Sequence, residues 1–355
     1  MTITTYYDYN SLTLEMPDSD SDPASPISYM ENCMRQQIYL APMEGVTGYI
    51  YRNVHRNHFK KADCYMTPFI ATNQKGILKT RDQDEILPEH NRGICLVPQI
   101  LSNSAPDFLK LANRLQEAYG YREVNLNLGC PSRTVVTKKK GSGFLAYPEE
   151  LDRFLDEIYS GTDMKISIKT RIGWEKPEEF YGLIRIYNRY PLSELVIHPR
   201  VQKDFYGNVP NMGVFLDGLA DCNCPVCYNG DIFNSGCLRD FMKQYPQVKK
   251  IMIGRGLIAN PGLVDELDDR WETDKKCYYG FVREIGEAYC ERMSGERNAL
   301  FKLKELWGYM IRIFSDPEKY WKKIRKSKSL SEYETAVDQL FEEQEIIRGA
   351  GFINN

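Results

Sequence analysis

Eight short apolar runs recur along this chain: Ile38 to Ala41, Cys64 to Phe69, Cys95 to Gln99, Val124 to Leu128, Ile166 to Arg171, Leu195 to His198, Val226 to Asn229 and Ile251 to Gly254. Stretches with apolar residues three and four apart separate most of them, as in Phe108-Leu109-Leu111-Ala112-Leu115-Tyr119 and Leu151-Phe154-Leu155-Ile158. Runs of this length read as buried strands, and the intervening spacing reads as amphipathic helices. Eight strand-helix units over roughly 230 residues favour an α/β fold of the (β/α)8 TIM-barrel kind over an open doubly wound sheet. The barrel is expected over residues 36–270. Residues 275–350 read as helices throughout, with Phe301-Leu303-Leu306-Trp307-Met310 forming one apolar stripe, and predict a smaller all-helical C-terminal domain.

Composition matters to this reading in three ways. A chain of 355 residues, 42% of them hydrophobic, can build a core of that size. No apolar run approaches the roughly 20 residues that span a bilayer, and the first residues lack signal-peptide order, so a cytoplasmic protein acting away from membranes, as a monomer, is expected. Ten cysteines at irregular spacing then read as reduced thiols. The cluster Cys222-x-Cys224-x-x-Cys227 lacks a fourth ligand at matching spacing, and no metal site is expected.

The net charge of −3 conceals an asymmetry. Residues 1–34 carry six acids and no Lys or Arg, giving −6, and their Ser, Asp and Pro content suits a disordered leader over residues 1–35. Residues 275–330 carry 14 Lys or Arg against 7 Asp or Glu, giving +7. A basic C-terminal region on an acidic whole suits a polyanion partner.

In a barrel the chemistry sits where strands end and the following loops begin, and the unusual residues fall there. Pro42-Met43-Glu44 follows the first run, Gln99 ends the third, and Cys130 follows the fourth. Lys169 and Arg171 end the fifth, His198 ends the sixth, and Asn229-Gly230-Asp231 and Gly254-Arg255-Gly256 follow the seventh and eighth. Asn125 and Asn127 alternate with Val124, Leu126 and Leu128, so one strand face is apolar and the other presents amides that need partners, which a ligand would supply. Ser167, Lys169 and Arg171 share a face likewise, and a cation inside a barrel mouth needs an anion.

Glycine-rich turns after the seventh and eighth strands offer backbone N–H groups to a phosphate. No Gly-x-Gly-x-x-Gly helix start and no Gly-x4-Gly-Lys-Ser/Thr is present, so neither a Rossmann site nor a P-loop is supported. Flavin mononucleotide (FMN) fits better, with its phosphate on those turns and Lys169 facing the N1 and C2 carbonyl side of its ring. Asp231 is expected to cap the next helix while its neighbours hold the cofactor. A small-molecule flavin oxidoreductase, a Lys169 Schiff-base aldolase and a non-catalytic RNA-binding factor remain open on these residues alone.

The motifs Ala41-Pro-Met-Glu-Gly-Val-Thr47, Gln99, Asn127-Leu-Gly-Cys-Pro131, Lys169-Thr-Arg-Ile-Gly-Trp174, His198-x-Arg200, Tyr206-x-Asn208, Asn229-Gly-Asp231 and Met252-Ile-Gly-Arg-Gly256 stand in the order found in tRNA-dihydrouridine synthases. The chain resembles that family from about residue 38 to 330. The resemblance implies an FMN enzyme, an oxidoreductase with NAD(P)H and usually NADPH as electron donor, that reduces a uridine in tRNA. It further implies that Pro42, Met43, Glu44, Gln99, Lys169, His198, Asn229, Gly230, Asp231, Gly254 and Arg255 hold the flavin. Cys130 is then the proton donor, delivering to C5 of the uracil after hydride reaches C6. Asn127, Arg171 and Tyr206 meet the extruded base, and Lys302 and Lys304 of the helical region meet tRNA phosphates.

Overall fold

The computed structural model describes residues 35–73 and 78–353. The acidic leader expected over residues 1–35 lies, up to residue 34, outside the described residues. Gln36–Asn355 make one compact unit.

Ten strands run in parallel: β1 (Gln37–Leu40), β2 (Cys64–Met66), β3 (Ile70–Ala71), β4 (Leu96–Val97), β5 (Gln99–Leu101), β6 (Glu123–Leu128), β7 (Lys165–Gly173), β8 (Leu195–Val201), β9 (Val226–Tyr228) and β10 (Lys250–Ile253). Their hydrogen-bonded order is β3-β5-β6-β7-β8-β9-β10-β1-β2-β4. The two ends of that order meet. β2 and β3 are halves of one stave and β4 and β5 of the next, with β2 paired to β4 and β3 to β5. Both staves are broken at a proline, Pro68 and Pro98, whose missing N–H interrupts the ladder. Eight staves therefore close a barrel, one for each apolar run.

Side-chain alternation sorts the barrel into two layers. Ile38, Leu40, Val124, Leu126, Leu128, Ile166, Ile168, Leu195, Ile197, Ile251 and Ile253 face outward into the main core. Tyr39, Ala41, Cys64, Met66, Val97, Val196, Cys227 and Met252 fill the interior. The floor of the barrel holds a group the sequence did not single out: buried Glu194 accepts from Tyr39 Oη at 3.1 Å and pairs with Lys250.

The outer helices are α1 (Tyr49–His58), α2 (Thr80–Ile86), α3 (Ala105–Tyr119), α4 (Arg133–Val136), α5 (Pro148–Ser160), α6 (Phe180–Tyr187), α7 (Met212–Asp221), α8 (Ser235–Gln244) and α9 (Arg255–Ala259). Helix α3 shows local sequence logic clearly. Ser104 caps its N-terminus by accepting from Asp107 N, Pro106 lies in its first turn, and Gly120 ends it at φ 76°. Four more helices follow: α10 (Lys275–Arg292), α11 (Glu296–Met310), α12 (Glu318–Lys326) and α13 (Leu330–Glu343).

Helix α10 docks on α1 through rings. Phe59 meets Tyr278 and Phe281 with centroids 4.9 and 5.5 Å apart, and Tyr51 meets Phe281 edge-on at 5.9 Å. The expected α11 stripe is buried at Leu303, Leu306, Trp307 and Met310, with the Trp307 indole donating to Tyr333 Oη at 2.8 Å. Phe301, expected in the stripe, is instead exposed. It lies beside a cavity between the β1–α1 loop and the helical region.

Candidate active site

The C-terminal strand ends open onto a cavity of about 300 Å³, at the small end of the range that takes a small molecule. Pro42, Met43, Glu44, Gln99, Asn127, Cys130, Lys169, Arg171, His198, Tyr206, Asn229, Gly230, Asp231, Gly254 and Arg255 all line it. It thus brings together every expected site residue except Lys302 and Lys304. A larger neighbouring cavity of about 490 Å³ shares Glu44, Pro68 and Phe69 with it and is closed by Tyr289, Arg292, Phe301 and Lys302.

A chain of side-chain amides crosses the mouth. Asn125 donates to Ser167 Oγ at 3.0 Å and accepts from Gln99 Nε2 at 2.8 Å. Gln99 Oε1 in turn accepts from Asn127 Nδ2 at 2.7 Å. Asn127 Oδ1 accepts from the backbone N–H of Gly129 and of Cys130, at 3.1 and 3.0 Å. The amide face read from the strand alternation is therefore satisfied by the protein itself, and no ligand is needed for Asn125 or Asn127. Asn127 holds the cysteine loop in place.

The next loop presses on the same turn. Ser142 donates to the Cys130 carbonyl from both its N–H and its Oγ, at 3.1 and 2.9 Å. Gly141 takes φ 55°, and a Cβ there would lie 2.8 Å from that carbonyl oxygen, so glycine is required. Burial pushes the Cys130 thiol up from its ordinary value, against smaller opposing effects of the Ser132 backbone and the Arg171 charge. The sulfur therefore stays protonated at neutral pH.

Two cations divide the work beyond it. Lys169 Nζ donates to Asn229 Oδ1 at 2.6 Å, and Asn229 is held by donating to the Met252 carbonyl at 2.8 Å. No carboxylate pairs with Lys169 among the described residues. Burial first, and the charge of Arg171 second, lower its pKa to about 8. Arg171, buried and lowered to about 10 mainly by that burial, spends all three of its nitrogens on carbonyls. Nε reaches Gly129 O at 3.0 Å, Nη1 Val201 O at 2.9 Å and Nη2 Phe205 O at 2.6 Å. It thereby ties the Cys130 loop to the loop that carries Tyr206. The Tyr206 ring is half exposed, 6.1 Å from the His198 ring. Burial and then the surrounding cations keep His198 well below its ordinary pKa, so it is neutral.

Asp231 does not cap a helix. The cap of α8 is Asn234, whose Oδ1 accepts from Cys237 N at 2.8 Å. Asp231 is drawn instead between two guanidiniums, accepting from Arg200 Nη1 and Arg255 Nη2, each at 2.9 Å. Arg200 also reaches His198 Nε2 at 3.1 Å.

Lys302 and Lys304 lie elsewhere. Lys302 Nζ donates to the Gly45 carbonyl at 2.7 Å and to Glu305 at 2.9 Å, bracing the β1–α1 loop beside the larger cavity. Lys304 donates to the Ser327 carbonyl within the helical region. Val46, Pro68, Phe69, Glu305 and Tyr309 line the smaller cavity without having been expected there. Glu305 and Tyr309 sit one turn apart on α11, a spacing visible in sequence, but nothing in sequence says that this helix reaches the barrel mouth. Cys222 and Cys224 place their sulfurs 3.3 Å apart, and Cys227 is buried in the barrel interior. Among the described residues, no group of three or more His, Cys, Asp or Glu side chains is arranged to hold a metal, and no helix is long and apolar enough to cross a membrane.

Solved structures similar to this chain include morphinone reductase (TM-score 0.47, 13% identity, covering 68% of this chain and 88% of that one) and the old yellow enzyme from Trypanosoma cruzi (0.46, 10%, 67% and 89%). Among curated relatives, tRNA-dihydrouridine synthase B of Pasteurella multocida is 24% identical over 68% of this chain and 71% of its own length. The enzyme of the same name from Shewanella oneidensis is 24% identical over 78% and 82%. The probable tRNA-dihydrouridine synthase 1 of Synechocystis is 25% identical over 76% and 77%. The family model described as dihydrouridine synthase matches residues 39–350, nearly the whole of the described chain. On that match, the chain belongs to the dihydrouridine synthase family.

Proposed function

We propose that this protein reduces a uridine in tRNA to 5,6-dihydrouridine, using FMN bound across the barrel mouth and NADPH as reductant. Residues 36–270 form the catalytic barrel in this reading, and residues 275–350 the tRNA-binding region. The observation that carries it is the shared cavity in which the protonated thiol of Cys130 stands beside Lys169, Asn229 and Arg255.

The residues fit a flavin phosphate ester on three counts. Gly230 lines the cavity at the turn after β9, and a Cβ there would lie 1.9 Å from Tyr228 Oη and force the turn to shift. Lys169 has three N–H donors and gives one to Asn229 Oδ1, so two N–H groups stay available to a carbonyl or to negative charge. Arg255 lines the cavity beside Gly230 and Gly254 and places a guanidinium at that end of it.

Reduced flavin, when bound, supplies hydride to C6 of the uracil. Cys130 Sγ then gives its proton to C5. A raised pKa keeps that proton available throughout the neutral range. Arg171 has five N–H donors, and three carbonyl bonds leave two to stabilise negative charge on the uracil O4. Tyr206, half exposed at the rim, stacks on the extruded base.

Mapping dihydrouridine in tRNA from cells lacking this protein tests the reading. Loss at a defined position, restored by the wild-type gene but not by Cys130→Ala, is expected. Unchanged dihydrouridine at every position contradicts it.

A further inference from the structure

After α13 the chain returns to the barrel. Ile346 pairs antiparallel with Phe314, and Ile347 N donates to Ile313 O at 2.8 Å. Gly349 N then donates to Glu266 Oε2 at 3.0 Å, and the Ala350 carbonyl accepts from Asn260 Nδ2 at 3.0 Å. Phe352 N donates to Phe233 O at 3.1 Å. Gly351 admits this approach, because a Cβ there would lie 2.1 Å from the same carbonyl. These tethers, with those of Arg348 to the Glu266 and Asp268 carbonyls, hold the backbone that carries Phe352.

That side chain packs on Arg255. The Arg255 Cζ lies 4.9 Å from the Phe352 ring centroid, 5.0 Å from Phe233 and 4.8 Å from Tyr206. The Phe233 and Phe352 rings are themselves 5.4 Å apart. Asp231 holds one terminal nitrogen of the guanidinium at 2.9 Å. Three rings and a carboxylate therefore restrict a guanidinium that lines the cavity. The family match ends at residue 350, two residues short of Phe352.

We propose that residues 346–352 are a positioning strap, in which Phe352 holds the Arg255 guanidinium toward the phosphate of the bound flavin. The inference rests on the flavin reading above. Phe352 packs on Arg255 and is not among the residues that line the cavity, so it is a positioning residue acting through Arg255. Its effect belongs to the phosphate alone.

Riboflavin, which lacks the phosphate, separates the two effects. The full chain is stripped of flavin, then titrated with FMN and with riboflavin while flavin fluorescence is followed. Phe352→Ala is expected to weaken FMN binding about 5- to 30-fold, the range for loss of a partly desolvated cation–π contact, and to leave riboflavin binding within about twofold. Phe352→Leu keeps apolar bulk without the ring face, and is expected to shift the FMN to riboflavin preference in the same direction. Equal losses for both ligands, or none for either, overturn the strap. A wild-type protein that binds neither ligand overturns the flavin reading itself.

Discussion

Replacing Arg171 by lysine keeps the charge and removes the fork. In the wild type, three nitrogens on a side chain that is 1% exposed hold three carbonyls on two loops, at 3.0, 2.9 and 2.6 Å. An ammonium on a shorter stem reaches one of them. Two bonds from a charged donor, at about 1.5–3 kcal/mol each, amount to roughly 3–6 kcal/mol if both carbonyls stay dry. Phe205 is exposed, so water can replace its lost donor, and a loss of about 2–4 kcal/mol is expected. The Cys130 loop also loses the tie from Arg171 Nε to Gly129 O. A proton donor displaced by about 1 Å costs turnover on the order of 100-fold. Urea denaturation and dihydrouridine formation on a tRNA transcript, normalised to bound flavin, measure the two effects. An Arg171→Lys protein with the wild-type urea midpoint and wild-type turnover refutes the view that this fork joins the two loops.

The remaining predictions concern the cofactor cradle, pH and the helical region. Gly230→Ala puts a Cβ 1.9 Å from Tyr228 Oη, so protein purified from it is expected to lose its flavin, as read by absorbance, and about 1–3 kcal/mol of stability. Lys169 has a folded pKa of about 8, below its ordinary 10.5. The unfolded chain therefore holds more protons between about pH 8 and 10.5, so flavin-free stability gains with rising pH across that window, and flavin affinity falls as the charge is lost. A Lys169→Met protein is expected to bind no flavin and to show a smaller pH dependence of its melting temperature there. Trp307→Phe strands the buried Tyr333 hydroxyl without its donor at 2.8 Å and is expected to cost about 1–3 kcal/mol in urea denaturation, with flavin content unchanged.

Much of this molecule is legible in its sequence because period-two alternation is a local property. Val124 to Leu128 and Ile166 to Arg171 each announce one greasy and one polar face, and the structure puts the greasy faces against the helices and the polar ones inside the barrel. Pro68 and Pro98, by contrast, lie within runs that read as continuous strands, and the structure breaks both staves there. What could not be read is which distant group answers each polar side chain. Asp231 looks like a cap beside α8, and only the fold brings Arg200 and Arg255 to it. Lys302 looks like a surface cation, yet a carbonyl 257 positions away receives it. The same holds for α11, whose Glu305 and Tyr309 reach the mouth through tertiary docking that no local pattern encodes.

Single-turnover kinetics tests most directly the claim that the Cys130 cavity is where uridine is reduced. Protein carrying reduced flavin is mixed anaerobically with a tRNA transcript that lacks dihydrouridine, and flavin reoxidation is followed by absorbance. Wild-type protein is expected to reoxidise as dihydrouridine forms, and Cys130→Ala, with equal flavin content, to do so at least about 100-fold more slowly. Equal rates for the two proteins contradict the account.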